Sequence, residues 1–167
     1  SLALKLILQS NDHKEKQMTL FIEGLLAVCE GQALDKEYEI APCVSLNDYL
    51  KMIDLKTGYM IGLSAHMGAM SINADLEICI KLRNYGRLIG RAFQIQDDYL
   101  EIFSNHKDMG KSLESDILLG KKTILMIMAL DKNKVLIEDA INSAKKDFHK
   151  GLLEIRRFIN DSGITQY

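Results

Sequence analysis

From Phe93 to Thr123 the chain reads FQIQDDYLEIFSNHKDMGKSLESDILLGKKT, an alternation of acids, amides and lysines. Gln94, Asp97, Asp98 and Glu101 are spaced i, i+3, i+4 and i+7. On a helix that spacing gathers all four on one side. Like charges at 97 and 101 repel mildly, and a hard divalent cation removes the repulsion. Magnesium takes oxygen ligands only, typically one or two carboxylates completed by water and phosphate oxygens. Lys107, Lys111, Lys121 and Lys122 follow, with Asp116 among them, and a glycine directly precedes Lys111 and Lys121. Ammonium groups beside backbone that can approach closely suit the outer oxygens of a metal-bound polyphosphate. The chemistry these residue types allow is therefore binding of Mg²⁺ and a diphosphate. Zinc is disfavoured, because no His or Cys stands at ligand spacing and His106 is alone. No GxxxxGK[ST] loop is present. A solvated acidic face followed by a charged loop is the competing reading of the same residues.

Three polar positions further upstream have two readings each. Lys56 lies inside an apolar helical run; its ammonium either reaches an anion or snorkels to water. Gln32 and Asp35, three apart in EGQALD at 30–35, share a helix face. They serve a site, or they are solvated.

The elements that must carry these groups are helices. Leu20 to Leu34 has the pattern of a mostly buried helix, and Lys36 to Val44, with the single proline Pro42, reads as a loop. Ser45 to Asp48 has capping-box spacing, with Asp in place of the usual Glu. The helix it starts carries apolar or small residues at 46, 50, 53, 57, 60, 61 and 64. Gly58, Gly62 and Gly68, in a run of small residues with Ser64, Ala65, Ala69 and Ser71, predict close packing against another helix or floor space under a ligand, and Gly86 and Gly90 later repeat the close-packing signal. After a break at 73–75, a helix is expected from Leu76 to Phe103, with Leu88, Ala92, Ile95, Tyr99 and Ile102 as its apolar stripe. Residues 104–119 read as a functional loop. Helices are then expected over 123–130, 134–148 and 152–159. No strand alternation is visible, so the expected fold class is all-α, within one domain spanning 1–167.

Bulk composition narrows the function further. The chain has 167 residues, enough for a substantial core, and a net charge of −2. That charge provides no field for nucleic acid or an anionic membrane. The longest apolar run, 60–70, is too short and polar to span a bilayer. Three widely spaced cysteines suggest no disulfide framework, which makes a reducing cytoplasm the expected location.

Four segments, taken in order, resemble the C-terminal half of the trans-isoprenyl diphosphate synthases (polyprenyl synthetases): EGQALD at 30–35, LKTG at 55–58, FQIQDDYLE at 93–101 and the GK…D…GKKT run at 110–123. The resemblance implies a helical bundle of the isoprenoid synthase type. It also implies a Mg²⁺-dependent prenyltransferase joining an allylic diphosphate to isopentenyl diphosphate, acting as a homodimer. Carried onto this chain, it makes Asp97, Asp98 and Glu101 the metal-binding acids. Lys56, Lys111 and Lys121 hold the allylic diphosphate, with Lys122 a weaker candidate. Thr57 and Gln94 line the reacting centre, and Gln32, Asp35 and Asp116 act behind them or through water. Lysines and metal would stabilise the departing diphosphate, a charge-separating step that electrostatics can catalyse.

Two departures qualify the resemblance. Glu101 stands where the family usually has Asp, and it still offers oxygen ligands. The family's first aspartate-rich motif, the arginine pair after it and the residues that bind isopentenyl diphosphate have no counterpart here. The chain is therefore expected to be a fragment that does not condense substrates alone. A non-catalytic partner subunit of a prenyl synthase and a terpene cyclase remain the alternatives, and the lysine pattern weighs against the cyclase.

Overall fold

The computed structural model describes residues 2–9, 13–103, 117–118 and 121–166. Among them there is no strand, as the all-α expectation requires. The helices are α1 (Leu2–Gln9), α2 (Lys14–Ile40), α3 (Leu46–Ile53), a π-helical turn (Asp54–Gly58), α4 (Tyr59–Ser71), α5 (Leu76–Phe103), α6 (Ile124–Lys132), α7 (Lys134–Lys146) and α8 (Phe148–Asp161), then a short 3₁₀ turn (Ile164–Gln166). By internal contacts the chain divides into two compact units, one of residues 1–35 and 50–94, the other of 36–49 and 95–167.

Helix starts follow local chemistry. At α3 the Ser45 hydroxyl accepts from the Asp48 N–H at 3.1 Å, and the Asp48 carboxylate accepts from the Ser45 N–H at 3.3 Å. This is a reciprocal capping box with Asp at its fourth position. Asn133 caps α7 by accepting from the Leu136 N–H, and Asp147 caps α8 by accepting from the Lys150 N–H. The break between the two helices, expected after residue 148, falls at Asp147, and the second helix starts four residues earlier than expected. Helix α2 runs six residues beyond the expected stop at Leu34. Residues 36–40 contain no proline, and Lys36 pairs with Glu39 at 2.7 Å, so nothing halts the helix until the approach to Pro42.

In the first unit, glycines set the spacing. A Cβ on Gly86 would fall 2.8 Å from the Gly62 Cα, and one on Gly90 would fall 2.5 Å from the Gly58 Cα. Helix α5 therefore lies backbone to backbone against α4 and the π-helical turn. In the second unit, a core of Ile102, Leu125, Met126, Ala129, Ile137, Leu152, Ile155 and Ile159 joins the end of α5 to α6, α7 and α8. Arg156 donates to the Ile102 carbonyl at 2.5 Å, satisfying a free carbonyl in the last turn of α5.

The apolar stripe expected on α5 is not its buried face. Leu88 is 61% exposed and Tyr99 41%, and Ala92 is exposed too; only Ile102 of that stripe is fully buried. The buried face instead carries Cys79, Gly86, Gly90, Asp98 and Glu101. Hydrophobic periodicity assumes that apolar residues lie inward. Here the glycines allow the closest approach, Asp98 finds partners in α3 and at the start of α6, and Glu101 finds one in Lys121 just before α6.

Candidate functional site

In the first unit, the π-helical turn carries Lys56 and Thr57. A π-helical turn holds one residue more than an α-turn, which re-aims the side chains around it, and such turns are frequent at functional sites. The N–H of Tyr59 bonds the Asp54 carbonyl, five residues back. Helix α2 approaches the turn at Gly31, where a Cβ would meet the backbone of Leu55 and Lys56. Only glycine allows that contact, so the glycine of EGQALD is matched to the backbone of LKTG.

The Lys56 ammonium donates to the Asp35 carboxylate at 2.7 Å, with 28% and 13% of the two side chains exposed. The Thr57 hydroxyl donates to the Gln94 amide oxygen at 3.1 Å. Lys56 therefore sits in a widened turn beside a carboxylate, rather than in a plain apolar helix run. Gln32 is exposed, so it and Asp35 differ in setting although they share a segment.

In the second unit, the three acids of α5 have different surroundings. Asp97 is exposed. Asp98 is 2% exposed and accepts from the Tyr49 hydroxyl at 2.6 Å and from the Ile124 N–H at 3.4 Å. Ile124 is the first residue of α6, so the carboxylate lies at a helix N-terminus, where the helix dipole favours negative charge. Thr123, which stands at the N-cap position of that helix, makes no side-chain capping bond, and its buried hydroxyl has no partner among the described residues. Glu101 is 8% exposed and lies 3.5 Å from the Lys121 ammonium. Lys122 is half-buried beside it. Lys111 and Asp116 lie outside the described residues.

The donor set bears on which metal could bind. The acids offer only carboxylate oxygens, which suits a hard cation such as Mg²⁺ and does not suit zinc. Among the described residues no three His, Cys, Asp or Glu side chains stand close enough to enclose a metal ion. Exposed Asp97 is open to a cation that draws its remaining ligands from water and a bound phosphate.

Three groups that the residue pattern did not single out hold this framework: Tyr49, Asp54 and the pair Arg87/Arg91. The carboxylate of Asp54 accepts from the Nε of both arginines, at 3.1 and 3.0 Å. Burial by itself pushes the Asp54 carboxyl up, and the hydrogen bonds from Arg87 and then Arg91 outweigh it, holding the group below the usual carboxylate range. A signal was available: Asp54 falls next to the apolar positions 50, 53 and 57, and Arg87 and Arg91 each follow one of the packing glycines.

Comparison with known proteins gives this arrangement its family. The polyprenyl synthetase family model matches residues 1–154. A short chain isoprenyl diphosphate synthase of Methanocaldococcus jannaschii is 39% identical over 146 residues, 84% of this chain and 44% of that one. A geranylgeranyl diphosphate synthase of Saccharolobus solfataricus is 37% identical over 148 residues, 85% and 45% of the two chains. Among solved structures, a geranylgeranyl pyrophosphate synthetase from Pyrococcus horikoshii superposes with a TM-score of 0.77 at 32% identity, covering 92% of this chain and 47% of that one. A polyprenyl synthetase from Streptomyces coelicolor gives 0.81 at 26% identity, covering 97% and 51%. The chain spans less than half the length of the curated relatives it matches. With the motifs, the helical architecture and these matches in agreement, the chain belongs to the polyprenyl synthetase family.

Proposed function

We propose that this chain is the C-terminal portion of a single prenyl synthase domain, and that it carries the diphosphate-holding half of a prenyltransferase. The reaction is condensation of an allylic diphosphate with isopentenyl diphosphate. The observation that carries the reading is the pairing of motif residues with one another: Lys56 with Asp35, and Thr57 with Gln94. Three segments far apart in sequence supply those two contacts, and their chemistry is that of an anion and cation site.

Each residue has a defined task in this reading. Lys56, Lys111 and Lys121 hold the allylic diphosphate with charge-assisted hydrogen bonds. Asp35 orients the Lys56 ammonium and leaves its other N–H donors for phosphate oxygens. The oxygens of Thr57 and Gln94 face the positive charge that develops on the allyl group as its bond to diphosphate breaks. Asp97 is the carboxylate open to Mg²⁺, and Asp98 and Glu101 lie behind it; Gln32 and Asp116 act through water. Bound Mg²⁺ would neutralise charge on the departing diphosphate. The double bond of isopentenyl diphosphate then attacks the allylic carbon, and the resulting cation loses a proton to the released pyrophosphate.

The working enzyme is a homodimer in this reading, and the 167-residue chain alone is inactive. An assay of the purified chain with geranyl diphosphate, isopentenyl diphosphate and Mg²⁺ yields no longer prenyl diphosphate. Turnover by the isolated chain would overturn the fragment reading. Failure of magnesium pyrophosphate to bind would overturn the diphosphate reading itself.

A further inference from the structure

Asp54 opens the π-helical turn, yet it has no part in the binding roles proposed above. Its side chain is 8% exposed, and its two oxygens are both engaged. Arg87 donates to each of them and Arg91 to one. The two arginines stand i, i+4 on α5, one turn apart on one face. Aspartate is short, and it reaches them only because the turn lies directly on α5. A Cβ on Gly58 would come within 3.0 Å of the Arg87 carbonyl and of the Asp54 Oδ1.

The far end of the turn is held from the same helix face. Arg83 and Arg87 lie over the Tyr59 ring at 4.9 and 5.2 Å from its centre, and Arg83 donates to the Tyr59 hydroxyl at 2.7 Å. Between these two anchor points stand Lys56 and Thr57.

We propose that Asp54 is a positioning residue. Through Arg87 and Arg91 it fixes the π-helical turn against α5, and so sets where the Lys56 ammonium and the Thr57 hydroxyl meet a diphosphate. This rests on the diphosphate reading of Lys56 and Thr57. A buried carboxylate bridged by two guanidinium groups is held more rigidly than a single exposed pair, because the carboxylate is desolvated and both of its oxygens are fixed by charge-assisted hydrogen bonds.

The test uses Asp54→Asn, which keeps the shape and removes the charge, and Arg91→Gln, which leaves the Arg87 pair to keep the chain folded. Two quantities are read: amide hydrogen exchange at residues 54–58, and affinity for magnesium pyrophosphate. In both variants exchange at 54–58 is expected to quicken at least tenfold while α6, α7 and α8 exchange as in the parent chain. Pyrophosphate affinity is expected to fall at least fivefold. The double variant should bind within about twofold of Asp54→Asn, since both act through one contact. Unchanged exchange at 54–58, acceleration spread evenly over the chain, or faster local exchange with unaltered affinity would each overturn the proposal. If the parent chain binds no pyrophosphate, or Lys56→Ala binds as well as the parent, the diphosphate reading fails. The exchange arm then still decides whether Asp54 holds the turn.

Discussion

Asp97 and Asp98 are adjacent carboxylates with opposite surroundings, one exposed and one sealed between Tyr49 and the start of α6. Their substitutions should separate accordingly. Tyr49→Phe removes the donor to a buried carboxylate and is expected to cost about 1–3 kcal/mol in urea unfolding. Asp97→Asn changes only an exposed group; it is expected to leave stability within about 0.5 kcal/mol while weakening magnesium pyrophosphate binding. The i, i+3, i+4, i+7 spacing gathers these residues on one face, and spacing alone assigns them one environment. What separates them is Tyr49, far away in sequence, and the N-terminus of α6. Long-range partners of this kind leave no local trace in sequence.

At the scale of the element, four packing glycines and the cap of α3 were legible and the inward face of α5 was not. The glycine signals at 58, 62, 86 and 90 marked real backbone contacts and the one at 68 did not, and Ser45 to Asp48 forms the box its spacing predicts. The apolar stripe of α5 pointed the other way, because the helix turns its glycine-bearing polar face inward. Not every helical glycine has such a role. Gly31→Ala would push a methyl into the backbone of the π-helical turn, and it is expected to destabilise by about 1–3 kcal/mol. Gly68 lies within α4 with open space around it, so Gly68→Ala is expected to stabilise by up to about 1 kcal/mol. Thermal or urea unfolding of the two variants checks the pair, and the opposite signs are the point of the comparison.

For the whole molecule, a buried histidine sets the direction of pH dependence. His66 is 5% exposed, and its Nδ1 has no hydrogen-bond partner among the described residues. Burial first, and then the charge of Arg83, hold it below its ordinary value against a hydrogen bond with the Cys79 backbone. The unfolded chain therefore binds a proton near pH 6.5 more readily than the folded one. Stability is expected to be fully present above that pH and to fall as pH drops through 6.5 towards the folded value. Urea midpoints at pH 7.5 and 5.5 measure this, and His66→Gln should flatten the difference. No described helix is long and apolar enough to cross a membrane. Lys56, Thr57 and Asp97 carry the proposed binding of diphosphate and magnesium. The most direct test is a titration of the 167-residue chain with pyrophosphate, with and without magnesium, following the backbone amide resonances. Magnesium-dependent shifts are expected at Lys56, Thr57 and Asp97, with affinity at least tenfold weaker in Lys56→Ala. Shifts absent from those residues, or indifferent to magnesium and to the loss of Lys56, would contradict the proposed binding.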